Sequence, residues 1–497
     1  MTACAAAVSI SAQSASAWKL LWSDEFNGAA GQLPDPTKWT YDVGFDCCGN
    51  NEIETYTNSP NNVFQDGHGN LVIRALKDSS GNYTSGRIKT EGLFQFTYGR
   101  VESRIKLPYG EGVWPAFWML GADITSVSWP QCGEVDIMEN FGPAGNDIST
   151  NNGSLHGPGY TGALVGAPYT LPYGQTVSDD YHVYAIEWSP NSMRYYVDGA
   201  LYETQTPSTI PAGSQWVFNN SPFFLILNQA IAGPDTGSFV GTPNSTTPFP
   251  SDLVVDYVRV YQTSTVSATT PVITPGQIQN AASYLGTMAP GSIAQLSGTN
   301  LAGGTSSTTN SSGAGALPTG VDGVSVTVSG VKAPLIFVSP TQIYFQIPWE
   351  TSPSPTVNIQ VNRSGTLSNV EPVMIQAATS PSVFIGNYTT GTVFVTNCDN
   401  NKCTMWGNGF GPKKTASQDG VATPAAPSSL TSIETKNTCT LTIANLPATV
   451  NYCGAAPGSI IDQIVFTYPS GLSTGAPYYE AALTIGGMTG YFRIPAQ

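Results

Sequence analysis

Charged side chains are scarce in this 497-residue chain, at 10% of all positions. Long amphipathic helices need a repeated charged face, so few are expected. Basic residues are scarcer still, 18 against 33 acidic ones, and the net charge of −15 repels phosphate backbones and anionic membranes. Nucleic acid is therefore not an expected partner. No run of 18 or more apolar residues occurs, which leaves no candidate membrane-spanning helix. With only three histidines (His68, His156 and His182) and no Cys-x-x-Cys pair, a structural zinc site lacks support.

Glycine (52) and proline (37) are plentiful, as in turn-dense all-β proteins, and the length suggests more than one fold unit. Residues 18–262 read as short strand-like runs separated by Gly, Pro, Asn and Asp, which predicts a β-sandwich. Val101 to Leu107 alternates apolar and charged residues, so one face is expected on a core and the other toward solvent or ligand. Asp198-Gly199 between two apolar runs predicts a tight hairpin. Residues 263–277, rich in Ser, Thr and Pro, read as a linker that few contacts cross, so the first unit is expected to be separable. Beyond it, residues 278–378 and 379–497 form a degenerate repeat. Ala294 to Leu301 corresponds to Cys403 to Phe410, and Val326 to Ala333 to Leu441 to Ala448. Each copy has the length of a small immunoglobulin-like sandwich. The first 17 residues end in Ala15-Ser16-Ala17, a small-x-small cleavage pattern without a charged start. They read as a signal-peptide remnant or a disordered tail, preceding a secreted, periplasmic or cell-surface protein. The close pairs Cys398/Cys403 and Cys439/Cys453 suit small disulfide loops in an oxidising compartment.

The chemistry concentrates in Gly133 to Asn140. Glu134 and Asp136 share a face of a regular strand while Glu139 points away, so a β-bulge near Ile137 or Met138 is needed to gather all three. Two carboxyls about 5 Å apart suit retaining glycoside hydrolysis, one as nucleophile and one as acid/base. Asp136 between them would raise their proton affinity. Such spacing alone is a weak signal, but three carboxylates among Val135, Ile137 and Met138 are costly in a half-buried strand without a role. Trp114, Trp118 and Trp129 add flat apolar surfaces on which sugar rings stack, although one of the three is expected in the core. His156 is a candidate partner of the carboxylates or of a sugar hydroxyl.

Residues 18–262 resemble glycoside hydrolase family 16, particularly its bacterial laminarinase-like members. The resemblance rests on Leu21 to Phe26, Gly49 to Glu52, Tyr98 to Glu102, Trp114 to Leu120, Trp129-Pro130, Gly133 to Asn140, His156 to Tyr160 and Val255 to Tyr261. It implies a jelly-roll sandwich with a long cleft, Glu134 as nucleophile, Asp136 as electrostatic helper and Glu139 as acid/base. It also implies Asn51, Arg74, Trp114, Trp118, Trp129, His156 and Asn228 as sugar contacts. No cofactor is implied for the chemistry, but a structural calcium is, with Glu25, the backbone of Gly69 and Asp256 similar to its ligands. The implied partner is a β-1,3 or mixed β-1,3/1,4 glucan, met by a monomer without a membrane span. Departures at Cys47-Cys48 and Gln229 unsettle the nearby subsites, and Cys132 is a candidate disulfide partner of Cys47 or Cys48. Residues 278–376 resemble a C-terminal module of secreted acidobacterial proteins through Asn280 to Ser283, Ala289 to Ser292, Gly298 to Leu301 and Val338 to Ile343. The rival functions on the same fold are glucan transglycosylation and non-catalytic glucan binding. The intact carboxylate set speaks against the second.

Overall fold

The computed structural model describes residues 15–45, 48–161, 165–172, 175–219, 221–266, 270–308, 316–376, 379–387, 392–399, 402–423, 430–457, 459–473 and 475–496. Residues 15–266 build an eleven-stranded and a seven-stranded sheet. The seven-stranded sheet runs Gly166–Thr170, Thr150–His156, Glu134–Glu139, Val113–Gly121, Phe223–Ile231, Arg87–Lys89 and Thr40–Tyr41. Its period-two apolar residues, among them Phe117, Met119, Val135, Leu155, Leu225 and Leu227, meet Ile73, Val101, Ile105, Ile186, Val258 and Val260 of the other sheet in one core. The alternate side chains of the seven-stranded sheet, such as Trp118 and Asn228, are left for its outer face. The hairpin at Asp198-Gly199 forms as expected. Both residues have positive φ, 48° and 76°, the backbone twist that a two-residue turn between right-twisted strands demands.

Both ends of this unit depart from the sequence reading. Ala15 to Ala17, expected as part of a leader or tail, begin the strand Ala15–Asp24, which pairs along Ser251–Val266 in the register Ala15↔Val266. Residues 1–14 lie outside the described residues. The expected linker 263–277 is also largely sheet: residues 263–266 end the strand Ser251–Val266, and residues 272–277 start Val272–Asn280 on the next unit. An uncharged Ser/Thr/Val segment satisfies its backbone groups wherever a strand edge is free, and two edges are free here. Residues 267–269 are outside the described set.

The charged face of Val101 to Leu107 is shut away from solvent except at the half-buried Lys106. Arg100, Glu102 and Arg104 are buried, as are Asp256 and Arg259 on the neighbouring strand Ser251–Val266. The C-terminal half covers them. Arg104 pairs with Asp256 at 2.7 Å and donates to the Thr287 hydroxyl at 2.6 Å. Arg259 pairs with Glu25 at 2.7 Å and donates to the Pro372 carbonyl at 3.0 Å. Glu371 accepts the Gly276 amide at 3.1 Å among Glu102, Arg259 and Arg100, and burial pushes its carboxyl up to about 8. The contacts crossing the junction are therefore not few, contrary to the separable-linker expectation. Alternating charge marks a strand with two different faces, but it does not tell water from another protein surface.

The first C-terminal unit packs a five-stranded sheet, starting at Val272–Asn280, against a four-stranded one ending at Thr366–Ile375, with Leu296, Val326, Phe345 and Ile359 in its core. The second unit is one continuous ten-stranded sheet around its own core of Met405, Leu441, Phe466 and Leu483. Its strand Leu446–Ala455 pairs Cys439–Ile443 with one half and Asp462–Thr467 with the other, so one sheet turns a corner. Val324–Val328 and Cys439–Ile443 each turn back through two positive-φ residues, Ser329-Gly330 and Ala444-Asn445. Disulfides join Cys398 to Cys403 and Cys439 to Cys453.

Candidate active site

The strand Glu134–Glu139 lies inside the seven-stranded sheet between Val113–Gly121 and Thr150–His156. Phe117 faces Met138 while Trp118 faces Asp136, so Ile137 is one residue too many for the neighbouring strand. The same slip appears on the other side, where Asp136 faces Ser154 and Glu139 faces Asn152. This is the β-bulge the spacing required, and it returns Glu139 to the face of Glu134 and Asp136. Ile137 and Met138 are buried beneath. Gly133, at φ 80°, leads into the strand where a Cβ would meet the Phe223 and Val217 side chains at 3.0 Å, so the bend before Glu134 demands glycine.

Each carboxylate has its own donors. The Trp129 indole N–H donates to Glu134 Oε2 at 3.1 Å, and that of Trp114 to Glu139 Oε1 at 2.9 Å. Asp136 Oδ2 accepts the Ser154 hydroxyl at 2.6 Å and lies 2.9 Å from His156 Nε2, which is 3.7 Å from Glu134 Oε1. Burial and then the Asp136 charge push the Glu134 carboxyl up to about 8, against the pull of His156, Arg87 and the Trp129 N–H. Burial and Asp136 also hold Glu139 well above the ordinary carboxyl range. Burial opposes a proton on His156, but Asp136, Glu134 and Glu139 together outweigh it and lift the imidazole to about 9. Arg87 opposes the rise only at Glu134, so Glu134 is the easier of the two glutamates to ionise and Glu139 the better keeper of a proton.

Glu134, Asp136, Glu139, Trp114 and Trp129 line a cleft of about 460 Å³ together with Trp118, Asn228, Arg87, Asn50 and Glu52, while His156 and Ser154 reach it through Asp136. None of the three tryptophans is fully buried: Trp129 is 47% exposed and the other two are half-buried, so the expectation of a core tryptophan fails. Trp118 donates to Asn228 Oδ1 at 2.8 Å and carries the Arg87 guanidinium 4.8 Å over its ring. Arg74 is elsewhere. Its strand Leu71–Lys77 belongs to the eleven-stranded sheet, where it forms two bonds of 2.7 Å with Asp252, so it is not a sugar contact of this cleft. Asn51 sits at the rim with its amide on the Asp235 carbonyl at 3.1 Å, and its neighbour Asn50 lines the cleft instead.

The proposed calcium ligands do not fit the ion as folded. Both Glu25 oxygens take bonds from Arg259 and Asp256 Oδ2 takes one from Arg104, so each carboxylate already faces a guanidinium; Gly69 adds only a backbone carbonyl. The sequence offers no sign of this because 234 positions separate Arg259 from Glu25 and 152 separate Arg104 from Asp256. Cys132 is a buried free thiol, which corrects the expected bridge to Cys47 or Cys48. Arg87, Glu52 and Ser154 escaped the sequence reading. Only Ser154 left a usable signal, two residues from His156 and thus on the same strand face.

With His156 replaced by glutamine, the cation that eases Glu134 ionisation is lost. The acid limb of the kcat/KM profile on soluble glucan is expected to move to higher pH, lowering kcat/KM about tenfold on that limb. An unshifted limb would show that the imidazole does not act on Glu134.

A family model described as Glycosyl hydrolases family 16 matches residues 50–236. A "Beta-glucanase" of Rhodothermus marinus is 41% identical over 49% of this chain and 85% of its own length. "Glucan endo-1,3-beta-glucosidase A1" of Niallia circulans is 38% identical, covering 49% of this chain and 38% of its own length. "Keratan-sulfate endo-1,4-beta-galactosidase" of Sphingobacterium multivorum is 37% identical, with 49% of this chain and 55% of its own covered.

Proposed function

The chain belongs to glycoside hydrolase family 16, and from that premise we propose that it is a retaining endo-hydrolase of β-1,3-glucan or mixed β-1,3/1,4-glucan. Glu134 is the nucleophile, Glu139 the acid/base, and Asp136 with His156 and Ser154 the group that holds charge beside Glu134. The observation that carries this reading is the bulge at Ile137, which sets both glutamates on one cleft face with a separate indole donor each. Glu139 protonates the departing glycosidic oxygen as Glu134 attacks the anomeric carbon, and the same carboxylate then activates the water that frees the sugar. Two inversions give net retention. Trp114, Trp118 and Trp129 offer the flat surfaces for the sugar rings, and Asn228 and Arg87 the polar contacts.

The glucan preference follows the two glucanase relatives, and the galactosidase relative defines the alternative that must be tested. Laminarin and lichenan are expected to yield oligosaccharides of several lengths early in the reaction, with xyloglucan and agarose left intact. Cleavage of agarose alone would overturn the glucan assignment. Proton NMR of the first product is expected to show the β-anomer, and an initial α-anomer would remove Glu134 from the nucleophile role. The disulfides Cys398–Cys403 and Cys439–Cys453 support work in an oxidising compartment outside the cytoplasm. The working unit is a monomer, to be checked by light scattering against the chain mass of 52.3 kDa.

A further inference from the structure

Two buried glutamates, Glu52 in the cleft wall and Glu54 outside its lining, are 6% and 1% exposed. Glu54 Oε2 accepts the Ile231 amide at 2.7 Å, while its buried Oε1 has no donor. The Glu54 and Glu52 carboxyls are within hydrogen-bonding reach of each other. Glu52 accepts the Asn50 amide at 3.4 Å through Oε1 and the Tyr56 hydroxyl at 3.0 Å through Oε2. A buried carboxylate oxygen without a donor is costly, and two facing carboxylates cannot both stay ionised out of water. One proton removes both costs.

We propose that Glu54 is a neutral carboxylic acid donating to the Glu52 carboxylate, and that this pair is the positioning device that orients Asn228 and Trp118 in the cleft. The order of donors follows from the pair. Glu52 as a carboxylate can only accept, so Tyr56 must donate to it and its oxygen is left to accept from Asn228 Nδ2, at 3.1 Å. The Asn228 amide is thereby turned so that Oδ1 takes the Trp118 indole N–H at 2.8 Å. The free Asn228 N–H and the indole face then have one arrangement in the cleft, with Arg87 stacked on the indole. Burial and the Glu52 charge push Glu54 up to about 9, so the pair holds one proton through neutral pH. Arg87 is the cation acting on this group through Tyr56, and Glu52 and Glu54 are its anions. Above that pH Glu54 ionises, repels Glu52 and loosens the chain.

This inference rests on the glucan reading only for its consequence, so two measurements separate them. In the full chain labelled with carboxyl-13C glutamate, one NMR resonance is expected to keep the protonated shift to about pH 8, titrate near pH 9 and vanish in Glu54→Gln. If no high-titrating resonance vanishes with that substitution, the shared proton does not exist. Titration calorimetry of laminarihexaose on a full chain carrying Glu134→Ala reads the consequence. Affinity is expected to fall about tenfold between pH 8 and pH 10. Adding Glu54→Gln, whose amide N–H can donate to Glu52 in place of the acid, should retain neutral affinity within about twofold and abolish part or all of the alkaline loss. Adding Glu54→Leu should lose about tenfold at pH 7 in a chain shown by melting to be folded. An identical alkaline loss with Glu54→Gln, or equal affinity for the Gln and Leu chains, overturns the positioning role.

Discussion

Glu134→Ala is expected to abolish turnover of laminarin, lowering kcat by about four orders of magnitude or more, because no other group on that cleft face can form the glycosyl-enzyme. Glu139 cannot replace it: the bulge puts it on the same face, but burial and the Asp136 charge hold it well above the ordinary carboxyl range against the Trp114 N–H and His156, so it keeps its proton. Azide is small enough to enter the space the alanine leaves, and should restore cleavage of an activated β-glucoside with an inverted, α-configured azide product. Glu139→Ala tests the other half. With a good leaving group the glycosyl-enzyme should still form, but its hydrolysis should slow by about 10²–10⁴-fold, the usual contribution of a positioned acid/base. Azide should there give the β-configured product. The two anomers distinguish the two roles within one assay. Measurement of the same anomer from both variants would mean that the roles are not divided between these glutamates.

Truncation after Gln262 is expected to lower Tm by about 10–15 °C while leaving kcat/KM on soluble laminarin at 25 °C within about threefold. The cut removes the bonds from Arg104 to Thr287 and from Arg259 to the Pro372 carbonyl, and residues 263–266 that pair with Ala15 to Trp18. Hydrogen bonds to charged groups contribute about 1.5–3 kcal/mol each, and each kcal/mol moves Tm about 2–4 °C for a unit of this size. Two such bonds therefore account for most of the shift, and the lost strand pairing adds to it. Activity should survive at low temperature because the cleft lies on the seven-stranded sheet while the covered face belongs to the eleven-stranded one. An unchanged melting curve would show that the C-terminal half contributes nothing to the stability of the first unit. A truncated chain that melts normally but no longer cleaves soluble glucan would show that the C-terminal half shapes the cleft.

The carboxylate set was legible because its chemistry is local. Glu134, Asp136 and Glu139 fall within six residues, strand alternation makes the need for a bulge calculable, and Trp114, Trp118 and Trp129 stand within twenty residues of them. Arg87 was not legible, since it reaches Trp118 through the pairing of Asn228 with Arg87 across two strands. Arg74 was misplaced for a related reason: period two gives a strand its faces, but not which of two sheets the strand joins. Cys398/Cys403 and Cys439/Cys453 could be paired by proximity, whereas Cys132 had to be seen in its buried setting to be recognised as free.

By itself the sequence determined the all-β class, the strand faces, the reactive strand and the need for a bulge near Ile137 or Met138, because each depends on neighbours a few positions apart. Only the tertiary structure decided that Glu25 and Asp256 face arginines, that the charged face around Arg104 is sealed by the C-terminal half, and that Glu52 and Glu54 meet behind Asn228. Those outcomes depend on groups brought together from distant strands and on the water excluded between them, and burial sets the cost of a charge in a way no local pattern records.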